Sequence, residues 1–201
     1  MIIRLEKEKD YLKVENMVRN SFWNIYRPGA YEHYIVHNLR NDESFINNLA
    51  YVIEKDDKII AHINYSNGKI ISNVAQMDAV VLGPISVDRD YQNQGYGSKL
   101  IEYTLKLIDE NDIPFVFVIG DENYYKRFGF ESASKYNIFL DGTDRNEECP
   151  FFMIKVFDKD ILLEGTFYNP DVFNVDENDV DEFDRQFEFK EKLILEGQLG
   201  V

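Results

Sequence analysis

The sequence contains one cysteine, Cys149, and no long uninterrupted apolar run. A single cysteine excludes an intramolecular disulfide and leaves no cysteine cluster that could hold a metal ion. No apolar stretch approaches the roughly 18 residues that a membrane-spanning helix requires. The first residues also lack the basic, then apolar, then small-residue order of a signal peptide. We therefore expect a cytoplasmic protein with no metal centre and no membrane partner.

Basic side chains are scarce, with 22 Lys and Arg against 37 Asp and Glu, which gives a formal net charge of −15. This charge repels a phosphate backbone, so nucleic acid is not an expected partner. An acidic surface would attract a cationic acceptor such as an amine or a polyamine, but acidic surfaces also simply keep proteins in solution. Both interpretations of the charge stay open.

The chain has 201 residues, of which 44% are hydrophobic and 14% aromatic, so one self-sufficient domain is expected. From about residue 176 the composition becomes acidic, and Phe183, Phe187 and Phe189 follow the acidic block. This segment is either an interaction tail or an acidic helix whose phenylalanines dock on the domain. We expect the docked helix, because a free tail would carry fewer aromatic residues. The predicted division is a main domain over 1–175 and an acidic extension over 176–201 packed on it.

A glycine-containing segment lies between a predicted strand and a predicted helix. The run Val80–Val87 is rich in β-branched residues, and its Gly83-Pro84 pair predicts a bulge or kink. After the segment, apolar residues recur at helical spacing. In between stands Gln92-x-x-Gly95-x-Gly97, at the entrance of the helix. Free first-turn amides, the helix dipole and glycines that admit a bulky anion make this a candidate phosphate site.

A second motif begins with the apolar run Phe115–Ile119, which predicts a short buried strand. Asp121 is a suitable N-cap for the short helix that follows, and Gly129 is a suitable residue to end it. The motif closes with Tyr125-x-x-x-Gly129-Phe130.

In this context the first motif resembles the Gln/Arg-x-x-Gly-x-Gly/Ala pyrophosphate loop of the GNAT superfamily of acetyl-CoA-dependent N-acetyltransferases. The second motif is similar to that family's Tyr-x-x-x-Gly-Phe ending. Leu82-Gly-Pro-Ile-Ser-Val87 and Gly120-Asp-Glu-Asn-Tyr-Tyr-Lys-Arg-Phe-Gly-Phe130 narrow the resemblance to a predicted-acetyltransferase subgroup. The resemblance implies an α/β fold of the α+β type: a mixed, mainly antiparallel twisted sheet with a V-shaped splay and helices on both faces. An ordinary glycine-rich turn is the alternative interpretation of the first motif.

The resemblance also implies the cosubstrate, acetyl-CoA, and a reaction in which a primary amine attacks the thioester directly. The amine would belong to a small molecule or be an exposed amino group. Tyr125 would protonate or hydrogen bond the leaving sulfur, although a tyrosine that only packs is the alternative. A homodimer is compatible with the family. The residues implied to bind the cofactor are Ile85, Ser86, Val87, Gln92, Asn93, Gln94, Gly95, Tyr96, Gly97 and Ser98.

The sequence does not identify the general base. Gln76, Asp78 and His62 are the polar candidates near the central strand, and the apolar neighbours of His62 are more typical of a core histidine. Without an obvious base, a catalytically weak acyl-CoA-binding regulatory module is an alternative function. An unrelated phosphate-binding domain is a further alternative.

An aromatic-rich segment falls in the first two predicted helices, which cover the acceptor cleft in the family that the chain resembles. It either lines the acceptor pocket or packs in the core. The aromatic and histidine residues concerned are Trp23, Tyr26, Tyr31, His33 and Tyr34.

Turn signals divide the remaining chain into strands. Asp56-Asp57 predicts a hairpin, and Asn67-Gly68 predicts the next turn. The runs Tyr136–Leu140 and Phe151–Phe157 predict a final antiparallel pair.

Overall fold

The computed structural model of the chain describes residues 1–199. The strands are β1 Ile2–Leu5, β2 Tyr51–Lys55, β3 Lys58–Ile71, β4 Gln76–Val87, β5 Phe115–Ile119, β6 Glu131–Ser132, β7 Ile138–Leu140, β8 Phe152–Val156 and β9 Gly165–Tyr168. The helices are α1 Tyr11–Phe22, α2 Glu32–Leu39, α3 Tyr96–Glu110, α4 Glu122–Tyr125 and α5 Glu177–Asp184. No helix within the described residues is both long and apolar enough to cross a membrane.

The strands form a mixed sheet in which antiparallel pairing dominates. β2 pairs antiparallel with both β1 and β3, and β8 pairs antiparallel with both β5 and β6. β3 and β9 are also antiparallel, whereas β4 runs parallel to β5 and β7 runs parallel to β9. The expected mixed, mainly antiparallel sheet is therefore confirmed.

The described chain divides into two compact units. Unit 1 comprises Met1–Asn64, Pro84–Leu100 and the segment from Val172 onward, and unit 2 comprises Tyr65–Gly83 and Ile101–Asp171. Both units draw on distant parts of the sequence. The division at residue 175 therefore stays a prediction, and the last two residues of the predicted extension, 200 and 201, lie outside the described part of the chain.

In unit 1 the apolar faces of α1 and α2 pack on β2 and β3. Val14, Met17 and Val18 of α1 contact Val36 of α2 and Val52 of β2. Burying aliphatic side chains contributes about 1.5–3 kcal/mol each relative to leaving them in water. These side chains therefore fix α1 and α2 against β2 and β3.

Unit 2 has its own core, which is rich in phenylalanine. The rings of Phe117 and Phe152 stack with centroids 5.2 Å apart, and Phe167 lies 4.7 Å from Phe117. Phe115 and Ile154 belong to the same buried cluster. Aromatic pairs at these separations add to the stabilisation by area burial, so β5, β8 and β9 are held together by this cluster.

The acidic segment after residue 176 forms α5, which contacts α2 inside unit 1. Phe183 lies 4.5 Å from the ring of His37 and 5.2 Å from that of Tyr34, and Phe187 lies 5.4 Å from His33. Phe189, by contrast, is 89% exposed. Two of the three phenylalanines thus contact α2, and the third does not.

The predicted turn at Asn67-Gly68 is wrong, because β3 continues through it to Ile71. The connection to β4 lies at residues 72–75 instead, where Ser72 N donates to Ala75 O. Gly68 has a different purpose. A Cβ there would lie 2.6 Å from Tyr168 O, so the glycine permits close approach of β9 rather than a reversal of the chain.

The predicted antiparallel pair between Tyr136–Leu140 and Phe151–Phe157 is also wrong. β7 pairs with β9, and β8 pairs with β5 and β6. Phe152 and Ile154 of β8 complete the unit 2 core beside Phe117, and this burial outweighs pairing with the nearest strand in the sequence.

Candidate active site

The candidate site in unit 1 begins at the end of β4. The ladder between β4 and β5 covers Val80–Leu82. It is followed by Gly83, whose φ of 143° lies in a region that essentially only glycine adopts, and by Pro84, which has no N–H to donate. The predicted irregularity at Gly83-Pro84 therefore has a backbone cause.

The residues that follow are oriented by the neighbouring strand β3. Asp88 N donates to Ile60 O at 2.9 Å. Because backbone groups alternate in direction along an antiparallel ladder, Ser86 directs its N–H and C=O toward β3, while Ile85 and Val87 direct theirs away. Val87 O accepts hydrogen bonds from Ser21 Oγ at 2.8 Å and Gln92 Nε2 at 3.1 Å.

The loop after β4 is shaped by its own polar side chains. Asp88 Oδ1 accepts from Asp90 N at 3.0 Å, and Gln94 Nε2 donates to Asp90 O at 3.0 Å. Asn93 and Gly95 have φ values of 59° and 82°, in the left-handed region. No atom would lie within 4 Å of a Cβ at Gly95, so the loop presents open space directly before α3.

Helix α3 begins at the end of this loop. Lys99 N donates to Gly95 O at 3.0 Å, which forms the first turn of the helix. First-turn amides have no acceptor within a helix, and the helix dipole adds partial positive charge there. A fifteen-residue helix with a glycine-lined entrance is therefore suited to hold a phosphate.

Three lysines surround the entrance of α3 despite the acidity of the whole chain. Lys55 Nζ lies 3.2 Å from the hydroxyl of Tyr96, and Lys99 Nζ lies 5.5 Å from the Tyr96 ring centroid. Lys58 Nζ lies 5.2 Å from the Tyr91 ring. Lys58 is already paired with Asp88 Oδ2 at 2.9 Å, so the ammonium groups of Lys55 and Lys99 are the ones that favour an anion at the helix entrance.

Tyr125 lies in unit 2, on α4. Asp121 Oδ1 accepts from Asn123 N at 2.9 Å and caps α4, and Gly129 ends the following turn with a φ of 85°. Both caps were predicted from the sequence. The Tyr125 side chain is only 7% exposed and packs edge-on against Phe130, with ring centroids 5.8 Å apart.

The absence of a side chain at Gly120 provides the space that the Tyr125 ring occupies. A Cβ at Gly120 would lie 2.4 Å from Cε2 of Tyr125. Nearby in the same unit, the buried Tyr65 hydroxyl lies 2.7 Å from Thr104 Oγ1. Burial raises the pKa of Tyr65, and the proximity of Tyr125 raises it further. Tyr65 therefore keeps its proton and can act as a hydrogen-bond donor.

The three candidate bases have different environments. Gln76 and Asp78 are exposed, whereas His62 is fully buried on β3. His62 Nε2 lies 3.0 Å from Asn64 Oδ1. Burial, and secondarily the Arg40 charge, lower the pKa of His62 to about 3. Within the described residues no cluster of histidine, cysteine and carboxylate side chains could hold a metal ion.

The aromatic segment between α1 and α2 divides into packed and exposed members. The Arg19 guanidinium lies 4.2 Å from the Trp23 ring, and Trp23 Nε1 donates to Glu191 O at 3.0 Å. His33 is fully buried, while Tyr26 is 48% exposed. Packing therefore accounts for Trp23 and His33.

All ten residues expected to bind the cofactor lie in unit 1, and Tyr125 lies in unit 2. In unit 1, Gln92–Gly95 are exposed, Ile85, Val87, Tyr96 and Ser98 are half-buried, and Ser86 and Gly97 are buried. Sequence analysis missed Ser21 and the three lysines. Ser21 carries no motif, and the lysines come together only because the β2–β3 hairpin lies beside the loop.

Comparison with known families identifies a match to the acetyltransferase (GNAT) domain over residues 47–132. This range begins just before β2 and ends with β6, so it includes the glycine loop, α3 and Tyr125.

Individual relatives extend the similarity. An uncharacterized N-acetyltransferase, YhbS of Escherichia coli K12, is 28% identical over 138 residues, which cover 69% of this chain and 78% of the relative. The crystal structure of Escherichia coli YhbS with CoA has a TM-score of 0.74 at 25% identity and covers 87% of this chain and 92% of the other. A Brucella melitensis GNAT acetyltransferase with acetyl-CoA has a TM-score of 0.69 at 25% identity, covering 86% and 97%.

Proposed function

Because the chain belongs to the GNAT superfamily of acetyltransferases, we propose that it transfers the acetyl group of acetyl-CoA to a primary amine. The amine belongs to a small molecule or is an exposed amino group. We assign the reaction to the cytoplasm, in keeping with a single cysteine.

The observation that carries this proposal is the entrance of α3. Its open glycine loop, its first-turn amides and the nearby Lys55 and Lys99 form one cationic cradle in a chain of net charge −15. The pyrophosphate of CoA carries the charge and the size that such a cradle accepts. The residues from Gln92 to Ser98 would bind it.

The end of β4 would bind the pantetheine arm. Backbone groups of Ile85 and Val87 face away from β3. Val87 O already accepts from Ser21 and Gln92. An extended amide-bearing chain can therefore pair with the groups of Ile85 and the N–H of Val87 as an added strand does. Two relatives with similar folds were crystallised with CoA or acetyl-CoA, which supports this donor.

The proposed reaction forms one C–N bond and breaks one C–S bond. The neutral amine attacks the thioester carbon, the tetrahedral intermediate expels the thiolate, and the amine loses one proton. Tyr125 is the proposed acid, which donates a proton or a hydrogen bond to the sulfur. A thiol has a reference pKa of about 8.5 and a phenol one of about 10, so even a shared proton stabilises the thiolate.

The charge of the chain supports an amine as the acceptor. An acidic protein surface raises the local concentration of ammonium groups, which must lose a proton before attack. Gln76 and Asp78 are both exposed, and neither has a contact that selects it as the base. We therefore assign no base.

A matched pair of variants at Gly95 tests the phosphate cradle. At a φ of 82°, aspartate and asparagine are both tolerated better than other side chains, and they share nearly the same shape. Gly95→Asp places a carboxylate beside the proposed pyrophosphate, and Gly95→Asn places a neutral amide there. We expect Gly95→Asp to weaken acetyl-CoA binding at least tenfold more than Gly95→Asn.

Isothermal titration calorimetry with acetyl-CoA measures the difference at low and at high salt, and the effect should shrink with salt because the charges become screened. Equal affinities for the two variants would remove the pyrophosphate assignment. Release of free thiol across a panel of amines then separates an acetyltransferase from the alternative, an acyl-CoA-binding module without turnover.

A further inference from the structure

Among the buried side chains of unit 1 that retain polar atoms with no hydrogen-bond partner in the protein are three on β3 and β4. His62 and Asn64 on β3 are fully buried, and Ser86 on β4 is 4% exposed. His62 Nδ1, Asn64 Nδ2 and Ser86 Oγ each lack a hydrogen-bond partner in the protein. Leaving such a group unsatisfied costs about 1–3 kcal/mol, so three of them on two adjoining strands indicate a polar occupant.

Strand register brings the three side chains together. Asp88 N donates to Ile60 O, and a step of two residues along each antiparallel strand sets Ser86 opposite His62. Side chains that are directly opposite lie on one face with Cβ atoms about 4.5–5.5 Å apart. The contact of 3.0 Å between His62 Nε2 and Asn64 Oδ1 keeps the imidazole and the amide side by side.

The surroundings of His62 fix its tautomer. The acceptors beside Nε2 are Asn64 Oδ1 at 3.0 Å and Glu6 Oε1 at 3.9 Å. Nε2 therefore carries the hydrogen, and Nδ1 presents a lone pair.

Burial, and secondarily the charge of Arg40, keep the imidazole of His62 neutral by lowering its pKa. The Arg40 guanidinium lies 2.7 Å from Glu6 Oε1 and 2.6 Å from Glu15 Oε1, and it is almost entirely buried. A second positive charge beside it would be repelled. His62 is thus a constant hydrogen-bond acceptor rather than an acid or a base.

We propose that His62, Asn64 and Ser86 bind one internal water molecule, and that this water orients the attacking amine. The inference rests on the proposed acetyl transfer. Water fits the three groups, since it donates to His62 Nδ1, accepts from Asn64 Nδ2 and donates to Ser86 Oγ. Buried waters typically make about three such bonds.

The remaining lone pair of this water is available to the amine. Ser86 lies between Ile85 and Val87, the residues proposed to hold the acyl donor. A hydrogen bond from the amine N–H to the water directs the nitrogen lone pair toward the thioester carbon, and no proton needs to reach His62. The three side chains are therefore positioning residues.

A crystal structure of the parent protein with acetyl-CoA tests the water directly. We expect an ordered oxygen within hydrogen-bond distance of His62 Nδ1, Asn64 Nδ2 and Ser86 Oγ. A site without this oxygen, or one closed by a shift of the side chains, would overturn the proposal whether or not the protein turns over. Failure of acetyl-CoA to bind in calorimetry would instead count against the proposed function.

Kinetics of Ser86→Ala test the orienting role. We expect kcat to fall about tenfold, the loss of roughly one hydrogen bond, with the Kd of acetyl-CoA unchanged. Ser66→Ala is the matched control, because Ser66 Oγ is equally buried and lacks a partner. Ser66 lies on β3 about 13 Å beyond His62, the residue opposite Ser86, and about 7 Å beyond Asn64. We expect the kcat of Ser66→Ala to equal that of the parent. An unaltered kcat in Ser86→Ala would overturn the orienting role.

Two variants of His62 separate orientation from base catalysis. His62→Leu removes the acceptor, and His62→Asn restores an oxygen near the position of Nδ1. We expect kcat to fall about tenfold in the first and to recover in part in the second. The pH profile of kcat should keep the parent's shape in His62→Asn, and loss of its acidic limb would identify a base and overturn the proposal. If His62→Leu fails to fold, Ser86→Ala and His62→Asn decide the outcome.

Discussion

At the scale of single residues, the clearest contrast is between the adjacent tyrosines of α4. Tyr125 is buried beside Phe130, while Tyr124 is half-buried under the Arg127 guanidinium, whose carbon lies 4.2 Å from its ring. The two side chains lie on the same helix and carry the same phenol group, but their environments differ. Tyr125 is therefore suited to a protected donor role, and Tyr124 is suited to surface packing.

Phenylalanine substitutions at these positions test the mechanism. Tyr125→Phe preserves the ring and removes only the hydroxyl, so acetyl-CoA affinity should hold while kcat falls by roughly 10- to 1,000-fold. Tyr124→Phe is the matched control and should lie within about twofold of the parent. Steady-state kinetics with an accepted amine, alongside calorimetry, measure both quantities. Parental turnover by Tyr125→Phe would place the acid elsewhere.

Much of the candidate site was predictable at this scale because its residues are consecutive. Gln92, Gly95 and Gly97 show their spacing in the sequence itself, and Asp121 and Gly129 mark the ends of α4 in the same way. The partner of Val87 O was not predictable. Ser21 is 66 residues away in the sequence, and only the packing of α1 beside β4 brings its hydroxyl there.

At the scale of elements, the connection between α1 and α2 is held by the chain after α5. Asn24 Nδ2 donates to Glu191 O at 3.0 Å, and Leu193 N donates to Asn24 Oδ1 at 3.1 Å. Gln198 Nε2 donates to Asn24 O at 3.1 Å, and Leu199 N donates to Tyr26 O at 2.7 Å. Asn24 adopts the left-handed backbone conformation, with a φ of 60°. The loop that contains it is therefore held in place by hydrogen bonds from the chain after α5.

Substitution of one glutamine should loosen this loop. Gln198 is buried and bridges Asn24 O and Leu193 O. In Gln198→Ala we expect amide hydrogen exchange over residues 23–29 to accelerate about tenfold. The reason is that the free energy of opening this loop falls by about the contribution of one hydrogen bond. Gln186→Ala is the control, since Gln186 is exposed and its amide bonds only Phe183 O nearby. Equal exchange in both variants would contradict the holding role.

Turn prediction succeeded or failed according to what each turn residue does. Asp56 and Asp57 both adopt positive φ, of 51° and 61°, and form the predicted hairpin between β2 and β3. Asn67-Gly68 is also a strong turn signal, yet it lies within β3. The two pairs differ because of tertiary packing: Gly68 has no side chain, and this allows Tyr168 O to approach closely. A sequence pattern does not distinguish a glycine needed for φ from one needed for space.

At the scale of the whole molecule, two buried histidines make stability depend on pH. Burial lowers the pKa of His33 to about 4 and that of His62 to about 3, both below the ordinary value of 6.5. Between these values and 6.5 the unfolded chain binds protons that the folded chain does not. Stability contributed by the neutral rings is therefore present above pH 6.5 and is lost as the pH falls toward 4.

We expect each histidine to remove about 2 kcal/mol of stability when the pH falls from 7 to 5. Urea unfolding at the two pH values measures this loss. His33→Gln, which has no titrating ring, should show a smaller loss than the parent by about that amount. A pH dependence that is identical in His33→Gln and the parent would exclude His33 as a source.

The pairing of Arg19 with Asp184 also constrains how the protein is made. Arg19 is 2% exposed and its guanidinium meets Asp184 at 2.5 Å, although 165 residues separate the two in the sequence. A ribosome that adds about 5–20 residues per second needs roughly 8–33 s to synthesise that interval. During translation Arg19 of α1 therefore stays hydrated until Asp184 has been synthesised. Unit 1 is completed only when the segment from Val172 onward leaves the ribosome.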